Sequence, residues 1–402
     1  MSTDGKRRLG AILALVAAGC LVAPARAAES VFRPVLVLGA YHDGNIKIIG
    51  TDERGDDAFT AALDLDYERS TRESSWRFNY RPVYTAYREN DGLNYFGQTA
   101  YAAFAKKFSG QSDFHADLAA SYTDRQGVRA FRPDQPVNFV ERNTELSADL
   151  RVGGTFTSGR RSLIDWNVGG GVVEYGDDTL VDNQFFGGGA GWRYAFSERS
   201  SLGFSLRGDA YLYDEVAGAP GGAVDTGATT AHIVGEHHFS EVTTFNYAAG
   251  ATYTDSDLTS DTNFSGEVSL TRKTSKRSDL VIGARQGVGG GTGKGGPTLD
   301  TGAYVSYTLR PERRGLEANV LAGFWQRDGA AINGSDAAKI TTWSSVETVG
   351  WAFNRFISAN LIHSFSNQNT SGTDGLDTSG TDGLDTSYHS YGAYLRWNIR
   401  GR

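Results

Sequence analysis

The stretch Ser201–Tyr213, SLGFSLRGDAYLY, decides how the whole chain is read. Leu202, Phe204, Leu206, Gly208, Ala210 and Leu212 hold the even positions. Ser201, Gly203, Ser205, Arg207, Asp209, Tyr211 and Tyr213 hold the odd ones. Side chains alternate across a strand with period two, so this is a strand with one oily and one polar face. Whether the oily face looks into a protein core or out into another oily medium separates a soluble sheet from a membrane barrel.

The rhythm recurs along the chain. Phe59, Ala61, Leu63, Leu65 and Tyr67 alternate with Thr60, Asp64, Asp66 and Glu68, and Trp76, Phe78, Tyr80 and Tyr84 with Arg77, Asn79, Arg81 and Thr85. Leu146, Ala148, Leu150 and Val152 oppose Glu145, Ser147, Asp149 and Arg151. Phe264, Val268 and Leu270 oppose Asn263, Ser265, Glu267 and Ser269; Tyr391, Ala393, Leu395, Trp397 and Ile399 oppose Tyr394, Arg396, Asn398 and Arg400. Segments 31–41, 95–108 and 340–353 carry apolar residues on both faces. Eighteen strands are predicted, centred near 36, 64, 81, 101, 119, 150, 169, 190, 207, 233, 250, 268, 284, 304, 321, 346, 361 and 394. Most run about 10 to 14 residues, beyond the five or six usual in soluble sheets. A strand of about 12 residues tilted near 45° rises roughly 28 Å, the depth of a bilayer's hydrocarbon.

Connections sort by length. One set is short and polar: STRES near 72, SGQSD at 109–113, SGRRS at 158–162, SERS at 197–200, SEVT at 240–243, SKRS at 275–278, ERRG at 312–315 and NRF at 354–356. The other is mostly long and rich in Gly and Asp: 42–57, 125–142, 214–228, 289–298, 328–339 and 367–387, with shorter members near 89–94, 176–183 and 257–261. Short turns at one end and long loops at the other is the layout of an outer-membrane barrel. An even strand count puts both termini on the short-turn side, expected to be periplasmic. Eighteen tilted strands close into a ring of backbone radius about 18 Å, too wide for side chains to fill. The polar face must then meet water inside and the oily face lipid outside, and closure follows because open sheet edges do not survive in hydrocarbon. The rival is a secreted β-sandwich or solenoid with an apolar core, whose loops have no reason to sort by length.

The composition agrees: 402 residues with 51 Gly, 8 Pro, 19 Tyr and 21 Phe suit many strands and tight turns. Residues 1–27 read as a cleaved secretory signal, with Lys6, Arg7 and Arg8, the apolar LGAILALVAAGCLVA, and ARA ending at Ala27. The apolar run is shorter than a spanning helix of about 20 residues. VAAGC offers lipidation at Cys20 as the alternative, although Ala17 replaces the usual Leu. Cleavage removes the only Cys and the only Met and takes the net charge from −8 to −11. The remaining chain, residues 28–402, is expected to form one barrel domain without disulfides. An acidic chain of this kind argues against nucleic acid as a partner.

Opposite charges on adjacent inner faces are the first candidate site. Asp64, Asp66 and Glu68 precede Arg77 and Arg81 across a short hairpin, and Asp149, Arg151, Arg207, Asp209, Glu267 and Arg396 fall on inner faces elsewhere. They either brace the wall, at about 0.2–1 kcal/mol per pair, or set a field that sorts solutes. Tyr87, Tyr211, Tyr213, Tyr304, Trp325 and Tyr394 share the polar faces and could stack on sugars. Tyr87, Tyr213 and Trp325 lie near strand ends, where an interfacial girdle is the commoner role. The predicted pore lining is therefore the charged set with Tyr211, Tyr304 and Tyr394.

Other stretches carry less. In HIVGEHHF, Glu236 and His238 share a strand face while His232 lies farther along and His237 points away, poor spacing for a closed metal site. GVGGGTGKGG at 287–296 lacks the following helix of a phosphate loop. TSGTDGLDTSGTDGLDTS at 370–387 duplicates an eight-residue unit, and Asp374, Asp377, Asp382 and Asp385 allow no more than weak Ca²⁺ capture. No cofactor, metal or catalytic constellation is predicted, so the chain is expected not to be an enzyme; a hydrolase or protease barrel is the enzymatic alternative.

PVLVLGAYHDGNIKI, with Asp43-Gly44-Asn45 after the first strand, and the run from LDLDYERS through WRFNYRPVYTAYRENDGLNYFGQTAYAAFAKKFSGQSDFHADLAASYTDR resemble the β-barrel porin 2 family over residues 34–402. The resemblance implies an outer-membrane barrel associated with exopolysaccharide synthesis or export, and brings no catalytic residues. One departure is the end of the chain, where NIRGR follows Trp397 in place of a terminal aromatic. The reading is an outer-membrane pore for polar solutes serving exopolysaccharide export, with a general diffusion porin or a closed docking barrel as alternatives. Expected partners are outer-membrane lipid, the barrel-assembly machinery, polysaccharide and a periplasmic export partner.

Overall fold

The structure, a computed structural model, describes residues 29–44, 55–128, 139–176, 182–214, 225–256, 260–290, 297–311, 315–329, 339–371 and 385–399. The expected signal segment with Cys20, Asn45 of the Asp-Gly-Asn element, most of the glycine run and most of the duplicated stretch lie outside the described residues.

The described residues form eighteen strands. The first six are β1 (Glu29–Asp43), β2 (Asp56–Ser70), β3 (Ser74–Tyr87), β4 (Tyr95–Ser109), β5 (Ser112–Val128) and β6 (Phe139–Ser158). Next come β7 (Ser162–Tyr175), β8 (Asn183–Ala195), β9 (Ser200–Tyr213), β10 (Thr226–Ser240), β11 (Thr243–Ser256) and β12 (Ser260–Ser275). The last are β13 (Ser278–Gly290), β14 (Pro297–Leu309), β15 (Leu316–Gly329), β16 (Lys339–Ala352), β17 (Ile357–Ser371) and β18 (Asp385–Asn398). Each predicted centre falls inside its strand. The strands run 13 to 20 residues, longer than predicted, because pairing continues into the expected loops. Thr226, Gly227 and Ala228, placed in a loop from sequence, pair with Tyr211, Ala210 and Asp209.

Every strand pairs antiparallel with its sequence neighbours, and β1 closes on β18 from Val35–Asn398 to Asp43–Ser390. Following the register around the ring gives a shear of about 22 residues, hence a tilt of about 40° and a backbone radius of about 18 Å. Glu29 and Asn398 lie on the rim of the short turns. These turns share a local device: Ser109, Ser197, Ser240, Ser275 and Asn354 each accept the N–H two residues ahead on a side-chain oxygen. Gly159, at φ 72°, supplies the left-handed residue of the β6–β7 turn.

The described residues form no continuous apolar core. Only eight hydrophobic side chains are buried among the described residues, most of them on the inner face, whereas Phe204, Ile233, Phe264 and Leu361 stand exposed outside. That arrangement excludes the sandwich and the solenoid, whose oily faces must be hidden. Outward rings collect toward the two rims. On the short-turn side Trp76, Phe104, Phe114 and Trp166 form a chain with centroids 4.3, 6.2 and 6.5 Å apart. Phe59, Tyr84, Phe96, Tyr253 and Trp343 stand toward the other rim. An apolar band between aromatic girdles is the outer surface of a barrel made to stand in a bilayer. Tyr87, Tyr213 and Trp325 do not belong to these girdles. Strand parity turns all three inward, and all three are buried.

Candidate functional site

The inner wall is the candidate site. All fourteen predicted residues project from the inner face. Asp64, Asp66 and Glu68 (β2), Arg77 and Arg81 (β3), Asp149 and Arg151 (β6), and Arg207, Asp209 and Tyr211 (β9) lie there by register. Glu267 (β12), Tyr304 (β14), and Tyr394 and Arg396 (β18) complete the set. They do not converge on one point, being spread around the ring on seven strands.

The densest group straddles the closing seam. Arg77 Nε donates to Asp66 at 3.0 Å, and Asn79 Nδ2 to Asp64 at 2.6 Å. The Arg77 pair runs diagonally, because the register sets Asp66 opposite Asn79 and Glu68 opposite Arg77. Arg33 of β1, missed in the sequence, donates to both Asp66 (3.2 Å) and Glu68 (3.3 Å). Arg396 of β18 stands 3.5 Å from Asp64. Charges on four strands thus interlock across β18, β1, β2 and β3. All of them but Glu68 line a cavity of about 700 Å³ near the short-turn rim, together with Arg355, Phe356 and Asn398. Sequence reasoning missed Arg33 because β1 carries Val35 and Val37 on its inner face and has no clean alternation.

Two further charge pairs lie within single strands. Arg207 holds Asp209 at 2.7 and 2.8 Å, and Arg151 approaches Asp149 at 3.4 Å. The inner face of β16 and β17 carries Thr342, Ser344, Thr348, Ser358, Asn360, Ser364 and Ser366, with Ile340, Val346 and Ile362 among them and no ionisable side chain. A neutral stripe rich in hydroxyls therefore runs up this side of the bore.

Inward rings lie flat. Tyr394 crosses its register partner Gly39, and a Cβ there would collide with the ring. Tyr304 covers Gly283 in the same way. Aromatics laid on glycine keep the bore wide and leave a π face toward the lumen.

The long-loop end is tighter. Arg327 donates to both oxygens of Asp300 at 2.7 and 2.9 Å, and the two residues are only 9% and 7% exposed. Beside them Trp325, 1% exposed, carries the Arg285 guanidinium 5.1 Å from its ring centroid. Across the mouth, a single 3-10 turn, Asp91–Leu93, folds over the wall, and Leu93 packs on buried Ala58 and Tyr87. Asp56 clamps it by accepting from Glu89 N (3.1 Å), Asn90 N (3.0 Å) and Asn90 Nδ2 (2.9 Å). Tyr87 OH donates to Asp43 at 2.8 Å. At the start of β8, burial pushes the Asp182 carboxyl above its ordinary range; nearby Glu174 and Asp214 push the same way, against the Tyr175 N–H it accepts. Glu236 and His238 meet at 2.7 Å as a strand-face pair, and no described cluster of three His, Cys, Asp or Glu could hold a metal.

No protein-family model matches the chain, and no curated protein matches it. Among solved structures it is similar to OccK2 (OpdF) of Pseudomonas aeruginosa in complex with glucuronate, at 10% identity and TM-score 0.49, covering 92% of this chain and 99% of that one. It is also similar to the siderophore receptor PirA of Pseudomonas aeruginosa, at 7% identity and TM-score 0.48, covering 92% and 81%. The FrpB iron transporter of Neisseria meningitidis matches at 8% identity and TM-score 0.48, covering 92% and 82%.

Proposed function

We propose that this chain is a Gram-negative outer-membrane channel that passes polar solutes, with a saccharide, most fittingly an exopolysaccharide or its fragments, as its cargo. The observation that carries the reading is the inversion of the wall. Apolar side chains face outward between aromatic girdles, while charges, hydroxyls and flat rings face a bore about 18 Å in backbone radius. Flat Tyr394 and Tyr304 and the hydroxyl stripe suit sugar rings, which offer an apolar face edged with hydroxyls. Both described chain ends lie on the short-turn rim, which this reading puts in the periplasm, within reach of an export partner.

Planar-bilayer recording of the refolded protein tests the channel. Conductance that an acidic oligosaccharide blocks is the expected result; absence of conductance at every voltage overturns it. Surface polysaccharide that is unchanged on deleting the gene overturns the export role and leaves a general diffusion porin. A closed docking barrel is the second reading. It is favoured by the buried inward residues at the long-loop end, Thr85, Thr342 and the Asp300–Arg327 pair among them.

A further inference from the structure

The outer wall keeps one rule almost everywhere. Among the described outward residues, Asp, Glu, His, Lys and Arg side chains stay within four residues of a strand end, as Lys106, Arg272, Asp57 and Asp328 do. Glu347 and His363 break it. They face each other across β16 and β17, on the side shared with exposed Val320 and Tyr391. His363 Nδ1 lies 2.6 Å from a Glu347 carboxylate oxygen. On β16, Trp343 and Trp351 flank Glu347 four residues to either side, 56% and 51% exposed. Four residues are about 13 Å of strand, so the pair stands near the middle of the apolar band.

A carboxylate turned toward hydrocarbon is costly, and acyl chains cannot satisfy the lone pairs its imidazole partner leaves over. Another spanning protein can, because side-chain hydrogen bonds join such segments inside a membrane. We propose that the outward face of β16–β18 is the contact surface for a second copy of this chain. The patch is self-complementary. Its acceptor, Glu347, sits on one edge, on β16, and its donors, Tyr391 and His389, on the other, on β18. A two-fold axis beside β17, parallel to the barrel axis, lays β16 of each copy against β18 of the other, so acceptor meets donor twice.

The rest of the patch has the character of an interface centre. Leu361, 61% exposed, lies between exposed Trp351, Tyr391 and Trp397. Its donors are already ordered: the His363 ring stacks on Tyr391 at 4.7 Å and on His389 at 6.1 Å, with interplanar angles of 21° and 23°. Ordered rings lose little freedom on contact.

Cysteine cross-linking in native membranes, with Cys20 replaced by serine, tests the proposal. L361C should give a species of twice the chain mass; I233C, at an equally exposed site on the far wall, should not. Adding E347L and H363L to L361C should abolish that species while the heat-resistant folded band persists. Should the leucine pair not fold, E347A and H363A take its place. Cross-linking of L361C to nothing or only to a different protein, equal yield from I233C, or a band unchanged by the loss of Glu347 and His363 would overturn the proposal. The readout requires membrane embedding and is independent of conduction.

Discussion

Tyr394 lies across Gly39, its directly opposed partner on the strand that closes the ring. The contact joins the last strand to the first, the pairing with the longest chain separation in the fold. A side chain at position 39 has no room unless the ring lifts into the bore. G39V should therefore cost about 1–3 kcal/mol of barrel stability. The urea midpoint of the folded band should fall, and the double variant G39V/Y394A should recover part of the loss.

The Asp300–Arg327 pair is largely buried and held by two hydrogen bonds. Removing one partner leaves an uncompensated charge, at a cost of about 3–5 kcal/mol. R327M alone should lower the unfolding midpoint more than D300L/R327M does. A double variant as unstable as the single would show that the lost attraction, not the stranded carboxylate, sets the cost.

In the proposed channel, the seam ladder is expected to set charge preference. In D64N/D66N/E68Q, Arg33, Arg77 and Arg396 lose their acidic partners and, with Arg81 beside them on the inner face, become the dominant charges of that wall. The reversal potential under a salt gradient should move toward that of an anion-selective pore, with a several-fold change in permeability ratio. An unmoved potential would leave the ladder a purely structural brace.

Asp56 holds the 3-10 turn against the wall at the long-loop end through three donors. D56A should free the segment 88–94, raise open-channel noise and speed proteolysis there. D56N, which keeps an acceptor, should behave nearer to the unsubstituted chain.

Burial holds the Asp182 carboxyl above its ordinary range. A raised carboxylate pKa favours folding while the group is protonated; its contribution is fully present below the unfolded value and is lost as pH rises through the folded one. D182N keeps an acceptor for the Tyr175 N–H without the charge. The thermal midpoint of D182N relative to the unsubstituted chain should therefore rise on going from about pH 4 to about pH 7.

Period-two alternation and the sorting of loops carried the architecture in local sequence, because lipid on one side and water on the other impose the same demand on every strand. Strand ends were less legible: residues such as Thr226 pair beyond the apolar band, where neither medium imposes a pattern. The inner charges of β2 and β3 could be read from parity alone. Arg33 could not, since its meeting with Asp66 and Glu68 depends on the register of the first strand, which no local pattern records. Glu347 was hidden for a related reason. Ile340 and Val346 face inward on the same strand, so both faces looked oily until pairing with Val320 fixed the parity.

The uncharged stripe on the inner side of β16 and β17 also bears on speed. In the proposed channel, a saccharide chain drawn beside it would meet hydroxyl and apolar side chains in turn without prying apart an ion pair, so the friction along that line should be low. Dragged over the seam ladder instead, the same polymer would stick at every rung.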